Sequence, residues 1–377
     1  MISIMRIVLI VLTLVASKSF AQDQAIDAGF FRKWSGDVCA QNETYMVDEI
    51  DRIRKKKTLS SHLLQFLPFP QTVIKRSCVQ SALKQVTAGR ELSQTQIDRG
   101  FRRRDSENNF IRCEAGKKVV EYQETPCQNR DSILLIHNSF ELVTGCLKDF
   151  VSGSTDLNVQ NQWAQTYFKM LTKESGLQNY VTSPSDALGI SQLTTTYIRD
   201  FMDKNLEDVK AHLASSSHPI CKTLGRDILS PEAVAYFAKK KSADSYSYNK
   251  CALVGVEHNQ ILRNLLIGFS NLKLYRGYAR QSAFARNQQV QMTAEQQLKL
   301  ELQMVPLAYN MGPGGLNRAI DESLKSFSKK RPVRDANQLM KMVIKNSPSE
   351  EGRNYLGNIE NRFNKVVQDS GQTTCFE

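Results

Sequence analysis

Outside its first twenty or so residues, the 377-residue chain has no uninterrupted apolar run near the ~18 residues that cross a bilayer. A polytopic membrane protein is thereby excluded. None of the eight cysteines (Cys39, Cys78, Cys113, Cys127, Cys146, Cys221, Cys251 and Cys375) stands at C-x-x-C spacing. That argues against zinc ribbons and thioredoxin-like redox motifs. The five histidines, His62, His137, His212, His218 and His258, form no metal-ligand spacing with another ligand, so no cofactor is implied. His137 lies on a helical segment and reads as structural. Internal repeats and long low-complexity tracts are also lacking.

Hydrophobic residues make up 41 % of the chain, enough for a packed core, and the length suits one large or two medium domains. Met1–Arg6 is a short basic start, Ile7–Ala16 is apolar apart from Thr13, and Ser19-Phe20-Ala21 is a small-x-small triplet. That order predicts a secretory signal over residues 1–21, cleaved after Ala21, and a periplasmic or extracellular protein without stable membrane insertion. In an exported chain an even number of cysteines favours disulfides. Cys113 with Cys127, and Cys221 with Cys251, are the local pairs the spacing suggests.

The formal charge is +12. The basic runs are Arg52-Ile53-Arg54-Lys55-Lys56-Lys57, Arg102-Arg103-Arg104 and Lys239-Lys240-Lys241, and none carries the interleaved aromatics of a nucleic-acid stacking platform. Nucleic acid is therefore not the expected partner. The expected acidic partners are those of the cell envelope, and a solvated basic surface accounts for the runs.

The hydrophobic pattern is helical almost throughout, so the expected fold class is all-α. Residues 36–55, 71–88 and 132–150 carry apolar stripes, residues 117–123 suit a short strand, and Asn259–Leu274 reads as a core helix. Ser152-Gly153-Ser154 is a turn-rich break. It separates a cysteine-containing helical region at 22–152 from a second region at 153–370.

Two helix ends in the second region invite chemistry. Trp163, Tyr167, Leu171 and Glu174 follow at 4, 4 and 3 residues, so a carboxylate ends an apolar stripe just before Gly176. Such a carboxyl, partly desolvated, would have the raised pKa of a general acid. Thr293 with Gln296 starts a second helix as a capping box. Its stripe, Leu298, Leu302, Val305 and Tyr309, ends with Asn310 just before Gly312-Pro313-Gly314-Gly315, which reads as a terminator.

Glu174-Ser175-Gly176, Gly189-Ile190-Ser191-Gln192-Leu193, Ala308-Tyr309-Asn310-Met311-Gly312-Pro313-Gly314 and Arg353-Asn354-Tyr355-Leu356 stand in that order. Together they resemble the signatures of the soluble lytic transglycosylases, the lysozyme-like glycoside hydrolase family 23. Ser183–Leu188 resembles the segment preceding the second signature. The likeness covers about residues 156–366 and says nothing of residues 22–152.

The resemblance implies cleavage of the β-1,4 bond from N-acetylmuramic acid to N-acetylglucosamine in peptidoglycan strands. Glu174 would protonate the leaving oxygen and then act as base on the C6 hydroxyl, giving a 1,6-anhydro end. Ser175 would bond near the reacting sugar, Gln192 and Asn310 would read its polar substituents, Tyr309 would orient Glu174, and Tyr355 would line the cleft. Asp186 is the nearest other acid within the matched segments. Alternatives are a hydrolytic lysozyme on the same scaffold and a non-catalytic wall-binding module.

The chain departs from the family pattern at Ser191 and Thr194, where methionine is usual, and at Met311, where a small residue is usual. Ser191 thus becomes a candidate contact for altered, partly deacetylated glycan. Gly189 to Ala308 is also a long interval. It holds Cys221, Cys251 and the lysine run, and reads as an insertion beside the groove.

Overall fold

A computed structural model describes residues 74–87, 112–115, 118–121 and 130–376, except 178, 180–182, 184–186, 243–244, 250–251, 254–257 and 329. The signal segment, the helix expected at 36–55, Cys127, Cys251 and Asp186 therefore lie outside the described residues. The fold is mainly α. The elements are α1 (Arg76–Thr87), β1 (Arg112–Ala115), β2 (Lys118–Glu121), α2 (Arg130–Ser152), α3 (Leu157–Glu174) and α4 (Thr195–Asp200). A π-helical turn at Phe201–Asn205 leads into α5 (Leu206–Ser215), α6 (Pro219–Ile228), α7 (Pro231–Phe237), β3 (Ala238–Ser242) and β4 (Ser245–Tyr248). The chain closes with α8 (His258–Arg280), α9 (Ala294–Leu324), α10 (Ala336–Lys345) and α11 (Glu350–Asp369).

The expected helices at 71–88 and 132–150 correspond to α1 and α2, and the strand expected at 117–123 is β2, paired antiparallel with β1. The hairpin β3–β4 was not legible, because a lysine triplet and a Ser-Tyr repeat carry no apolar alternation.

The core helix is α8. Leu262, Leu265, Leu266, Phe269 and Leu272 are fully buried, and they fall on more than one face. α8 is buried on most sides, with polar Asn264, Ser270 and Asn271 inside as well, and it packs between α2 and α9. One continuous buried cluster runs from Ile74 to Phe376. Ser152–Gly153, expected as a boundary between regions, is thus a turn from α2 to α3 within a shared core.

α3 starts where Asp156 accepts from the Asn158 backbone N at 2.8 Å. It buries Trp163, Tyr167, Phe168 and Leu171, and stops where Gly176 (φ 61°) and Leu177 (φ 66°) turn left-handed. Thr293 caps α9 by accepting from Gln296 N at 3.3 Å, but the reciprocal half of the capping box is absent: the Gln296 side chain accepts instead from Ala336 N at 2.8 Å. The Gly/Pro cluster ends the first of two helical stretches within α9, as expected. Gly312 (φ 73°) breaks the helical path, and α9 resumes through Pro313 to Leu324. α11 begins at the Ser349 cap and turns Tyr355, Ile359, Phe363 and Val366 inward.

Among the described residues, two disulfides close the core. Cys146 of α2 pairs with Cys221 of α6, which corrects the expected Cys221–Cys251 pair: the folded chain brings α6 to α2, a contact that local spacing cannot reveal. Cys78 of α1 pairs with Cys375 across 297 residues. The same junction is hydrogen-bonded. Ile74 bridges Phe376, Lys75 N donates to the Cys375 carbonyl at 2.9 Å, and Ile74 N donates to the buried Glu141 at 2.6 Å. His137 Nε2 bonds the Ile74 carbonyl at 2.8 Å, which gives that histidine a structural role. Replacing both Cys78 and Cys375 by serine should lower stability by about 2–4 kcal/mol. The check is a downward shift of the urea-unfolding midpoint; an unchanged midpoint would mean that the bridge constrains nothing.

Candidate functional site

Glu174 ends α3 half-buried. Its carboxyl accepts a hydrogen bond from Tyr355 Oη of α11, and Tyr355 is itself fully buried. Loss of water around the Glu174 carboxyl raises its pKa. The cation of neighbouring Lys173 and the Tyr355 hydrogen bond pull it back, and the negative charge of Glu351 pushes it up again. Lys173 Nζ also lies 5.6 Å from the centre of the Tyr355 ring. A carboxyl so placed holds its proton to higher pH than a free glutamate and can deliver it to a leaving group.

The ground beneath Glu174 is the turn at 188–193. Leu188 and Leu193 exchange backbone hydrogen bonds at 3.0 and 2.9 Å, which closes a four-residue loop. Two buried asparagines pin that loop. Ile190 N donates to Asn179 Oδ1 at 3.0 Å, and Ser191 N donates to Asn264 Oδ1 at 2.9 Å. Asn264 Nδ2 donates to the Leu188 and Leu253 carbonyls at 2.9 and 3.1 Å. Gly189 sits at φ 69° against both amides, and a Cβ there would stand 2.3 Å from Asn264 Nδ2 and 2.6 Å from Asn179 Oδ1.

The segments singled out in the sequence meet here, but several roles differ from those expected. Tyr309 does not bond Glu174; its hydroxyl donates to the Ser191 carbonyl, and Tyr355 orients the acid instead. The reason is geometric. α9 crosses beneath the turn, where Tyr309 also packs on Tyr197 at 4.4 Å between ring centres, while α11 lies alongside α3. Ser175 Oγ donates to the Ile190 carbonyl at 2.7 Å, so its hydroxyl ties the end of α3 to the turn. Gln192, at φ 48°, folds its amide back to the Gly189 carbonyl at 2.7 Å.

Ser191 is not a cleft residue. It is fully buried, shares a 2.6 Å hydrogen bond with Tyr167 Oη, and donates to the Asn264 carbonyl at 3.2 Å. Close approach of α8 at Gly268 removes the room for a larger residue there: a Cβ on 268 would lie 2.6 Å from Ser191 Cβ. Thr194 is likewise structural, capping α4 by accepting from Tyr197 N. Met311 packs against Gly315 and Ser347 beneath the start of α11.

Asn310 is half-buried, and its amide donates to Glu351 Oε1 at 2.9 Å. Glu351 and Lys173 are the charged groups that the motif reading missed. The signal for Glu351 was present: it stands four residues before Tyr355 on one helix, and such residues share a face. Hydrogen bonds thus link the four segments, and α11 completes the circuit through Glu351: Glu174 to Tyr355, Ser175 to Ile190, Ser191 to Tyr309, and Asn310 to Glu351.

Among the described residues no group of three or more His, Cys, Asp or Glu could hold a metal ion, and no helix is long and apolar enough to cross a membrane. Gly189→Ala should cost at least ~2 kcal/mol, because the left-handed backbone and both amides oppose a Cβ. Chemical denaturation measures this, and a wild-type midpoint in the variant would show that the turn is not so confined. No family model matches the chain, and neither a curated protein nor a solved structure does.

Proposed function

We propose that the chain is an exported, lysozyme-like peptidoglycan-cleaving enzyme that cuts the β-1,4 bond from N-acetylmuramic acid to N-acetylglucosamine as a lytic transglycosylase. The observation that carries the reading is the set of bonds just described: hydrogen bonds join the four short segments around the end of α3, and one of them, through Tyr355, reaches the desolvated Glu174 carboxyl. Disulfides between Cys78 and Cys375, and between Cys146 and Cys221, support an oxidising compartment and so the export reading.

In this mechanism protonated Glu174 gives its proton to the glycosidic oxygen as the bond to C1 breaks. The resulting carboxylate then takes the proton of the muramyl C6 hydroxyl as that oxygen closes on C1. Glu174 ends protonated, and the product is a 1,6-anhydro end with no water consumed. One group serves as acid and base, which requires a proton affinity near the working pH. Tyr355 holds the carboxyl in one orientation through both steps.

Hydrolysis has one specific observation in its favour. Glu351 is a second carboxylate whose charge reaches Glu174, and hydrolytic glycosidases use two. Transglycosylation is preferred because Glu351 is exposed and held by Asn310, so it would have to leave that amide to activate water. A preference for deacetylated glycan finds no support at Ser191 and Thr194, since both serve the frame.

Glu174→Gln should reduce muropeptide release from purified sacculi by about 10²–10⁴-fold. Mass spectrometry of the wild-type products should show anhydro ends, one water lighter than reducing ends. Reducing ends would turn the assignment to hydrolysis, and no release from any wall preparation would defeat the enzyme reading. The charge balance around Glu174 makes a second prediction. Activity as an acid is lost as pH rises through the Glu174 pKa. Lys173→Met removes the lowering cation, so the alkaline limb of the pH–rate profile should move to higher pH. Glu351→Gln removes the raising anion, so that limb should move to lower pH. Superimposable profiles for all three proteins would show that Glu174 is not the titrating acid.

A further inference from the structure

The lysine triplet within the long interval between Gly189 and Ala308 is carried on an anchored hairpin. Phe237 and Ala238 are buried, whereas Lys239, Lys240, Lys241 and Ser242 are all exposed. Lys240 pairs across the hairpin with Tyr246, and Ala238 with Tyr248. The two tyrosine rings stack with centres 6.0 Å apart and planes 17° from parallel. Tyr246 Oη donates to Asp203 Oδ1 at 2.7 Å, which fastens β4 to the π-helical turn. The register shifts between Lys240 and Ser242, so Lys241 stands at an irregularity of the strand.

The lysines of the described residues fall into two groups, those paired with a carboxylate and those without such a partner. Lys169, Lys204, Lys210, Lys273 and Lys325 each reach a carboxylate. Lys239, Lys240 and Lys241 make no ion pair among the described residues. Three adjacent exposed cations on one strand make a local positive potential, which attracts an anionic ligand. Their position is also defined. β4 packs against α4, and Tyr248 lies within the field of Arg199 and Asp200 at the far end of that helix. α4 leaves the 188–193 turn directly, and six helical residues span about 9 Å.

We propose that Lys239, Lys240 and Lys241 form a cationic docking ridge for the carboxylate-bearing peptide side chains of a wall strand whose glycan occupies the Glu174 site. The inference rests on the peptidoglycan reading of that site. The other anionic macromolecules fit less well. Residues 239–242 carry no apolar side chain, and Tyr236, the one exposed large aromatic beside them among the described residues, is too little apolar surface to anchor on lipid. Tyr246, fastened to Asp203 and covered by Lys240 at 5.8 Å from its ring centre, is not a free face for stacking a base. Lysine ammonium groups are mobile point charges, which suits carboxylates borne on flexible peptides.

The test is co-sedimentation of the full mature chain carrying Glu174→Gln, which keeps the bound strand uncut. It is compared with the same protein also carrying Lys239→Ser, Lys240→Ser and Lys241→Ser. Sacculi are used intact and after an amidase has removed their peptides. At low salt the triple variant should bind intact sacculi about tenfold more weakly, with a shallower salt dependence, and both proteins should bind stripped sacculi alike. Because the three side chains are exposed, folding should be retained, and replacing all three by arginine should preserve binding. Equal binding of intact sacculi by parent and triple variant overturns the proposal, as does equal binding of intact and stripped sacculi by the parent. Lysine-dependent retention on phosphatidylglycerol vesicles that matches the retention on intact sacculi would also overturn it, assigning the ridge to a membrane. The cleavage reading is tested apart from this, since muropeptide release by the wild type requires Glu174 whether or not the ridge engages peptides.

Discussion

Two buried amides, Asn264 on the core helix and Asn179 after α3, hold the 188–193 turn and the backbone at Leu253. Asn264 accepts from Ser191 N and donates to the carbonyls of Leu188 and Leu253. A buried backbone group left without a partner costs about 1–3 kcal/mol; without Asn264 the Ser191 N–H would be such a group, while the Leu188 carbonyl keeps Leu193 N and the Leu253 carbonyl keeps Asn179 Nδ2. The rest of the candidate site is built upon that turn. Ser175 binds it from the end of α3, Tyr309 from α9, and α4 starts at its far side. Position of the acid is therefore a consequence of core packing more than of the loop itself.

The electrostatic setting of Glu174 follows from the same placement. Desolvation alone would favour the neutral carboxyl. Lys173 and Tyr355 stabilise the anion, and Glu351 opposes them from α11. Desolvation dominates, so the neutral, proton-donating form is favoured, and Lys173 and Tyr355 moderate that preference. Tyr355 joins the two halves of the setting, since its ring faces the Lys173 ammonium and its hydroxyl holds the acid.

Rigidity around this frame comes from ties of high sequence separation. The Cys78–Cys375 bridge and the Ile74–Phe376 pairing hold α1 and the C-terminal segment together beside α11. On the far side, Glu301 of α9 is buried and takes Arg276 at 2.7 Å and Arg280 at 3.2 Å from α8. A buried carboxylate with two guanidinium partners adds little net stability, but removing either kind of partner leaves a charge uncompensated in the core. It locks the register of the two helices that carry Asn264 and Tyr309.

Much of the helical fold was legible because amphipathic periodicity is local: the stripes in α2, α3 and α8 are written in the spacing of Ile136, Phe140, Val143, Trp163, Tyr167, Leu262 and Phe269. The candidate acid was legible for the same reason, as a carboxylate ending an apolar stripe. The partners of each motif residue were not. Whether Tyr309 or Tyr355 meets Glu174 depends on which of α9 and α11 lies beside α3, and nothing in either segment encodes that choice. Ser191 read as a surface contact because a hydroxyl in a motif has no visible partner, whereas in the fold Tyr167 and Gly268 enclose it. Cys221 pairs with Cys146 and not with a nearer cysteine because α6 is carried back to α2. The sequence by itself determined the longer amphipathic helices, which of their faces are apolar, and that one glutamate stands at the end of such a stripe. Tertiary structure alone decided which groups surround that glutamate, because hydrogen bonds and charge interactions act over a few ångströms of space and are indifferent to separation along the chain.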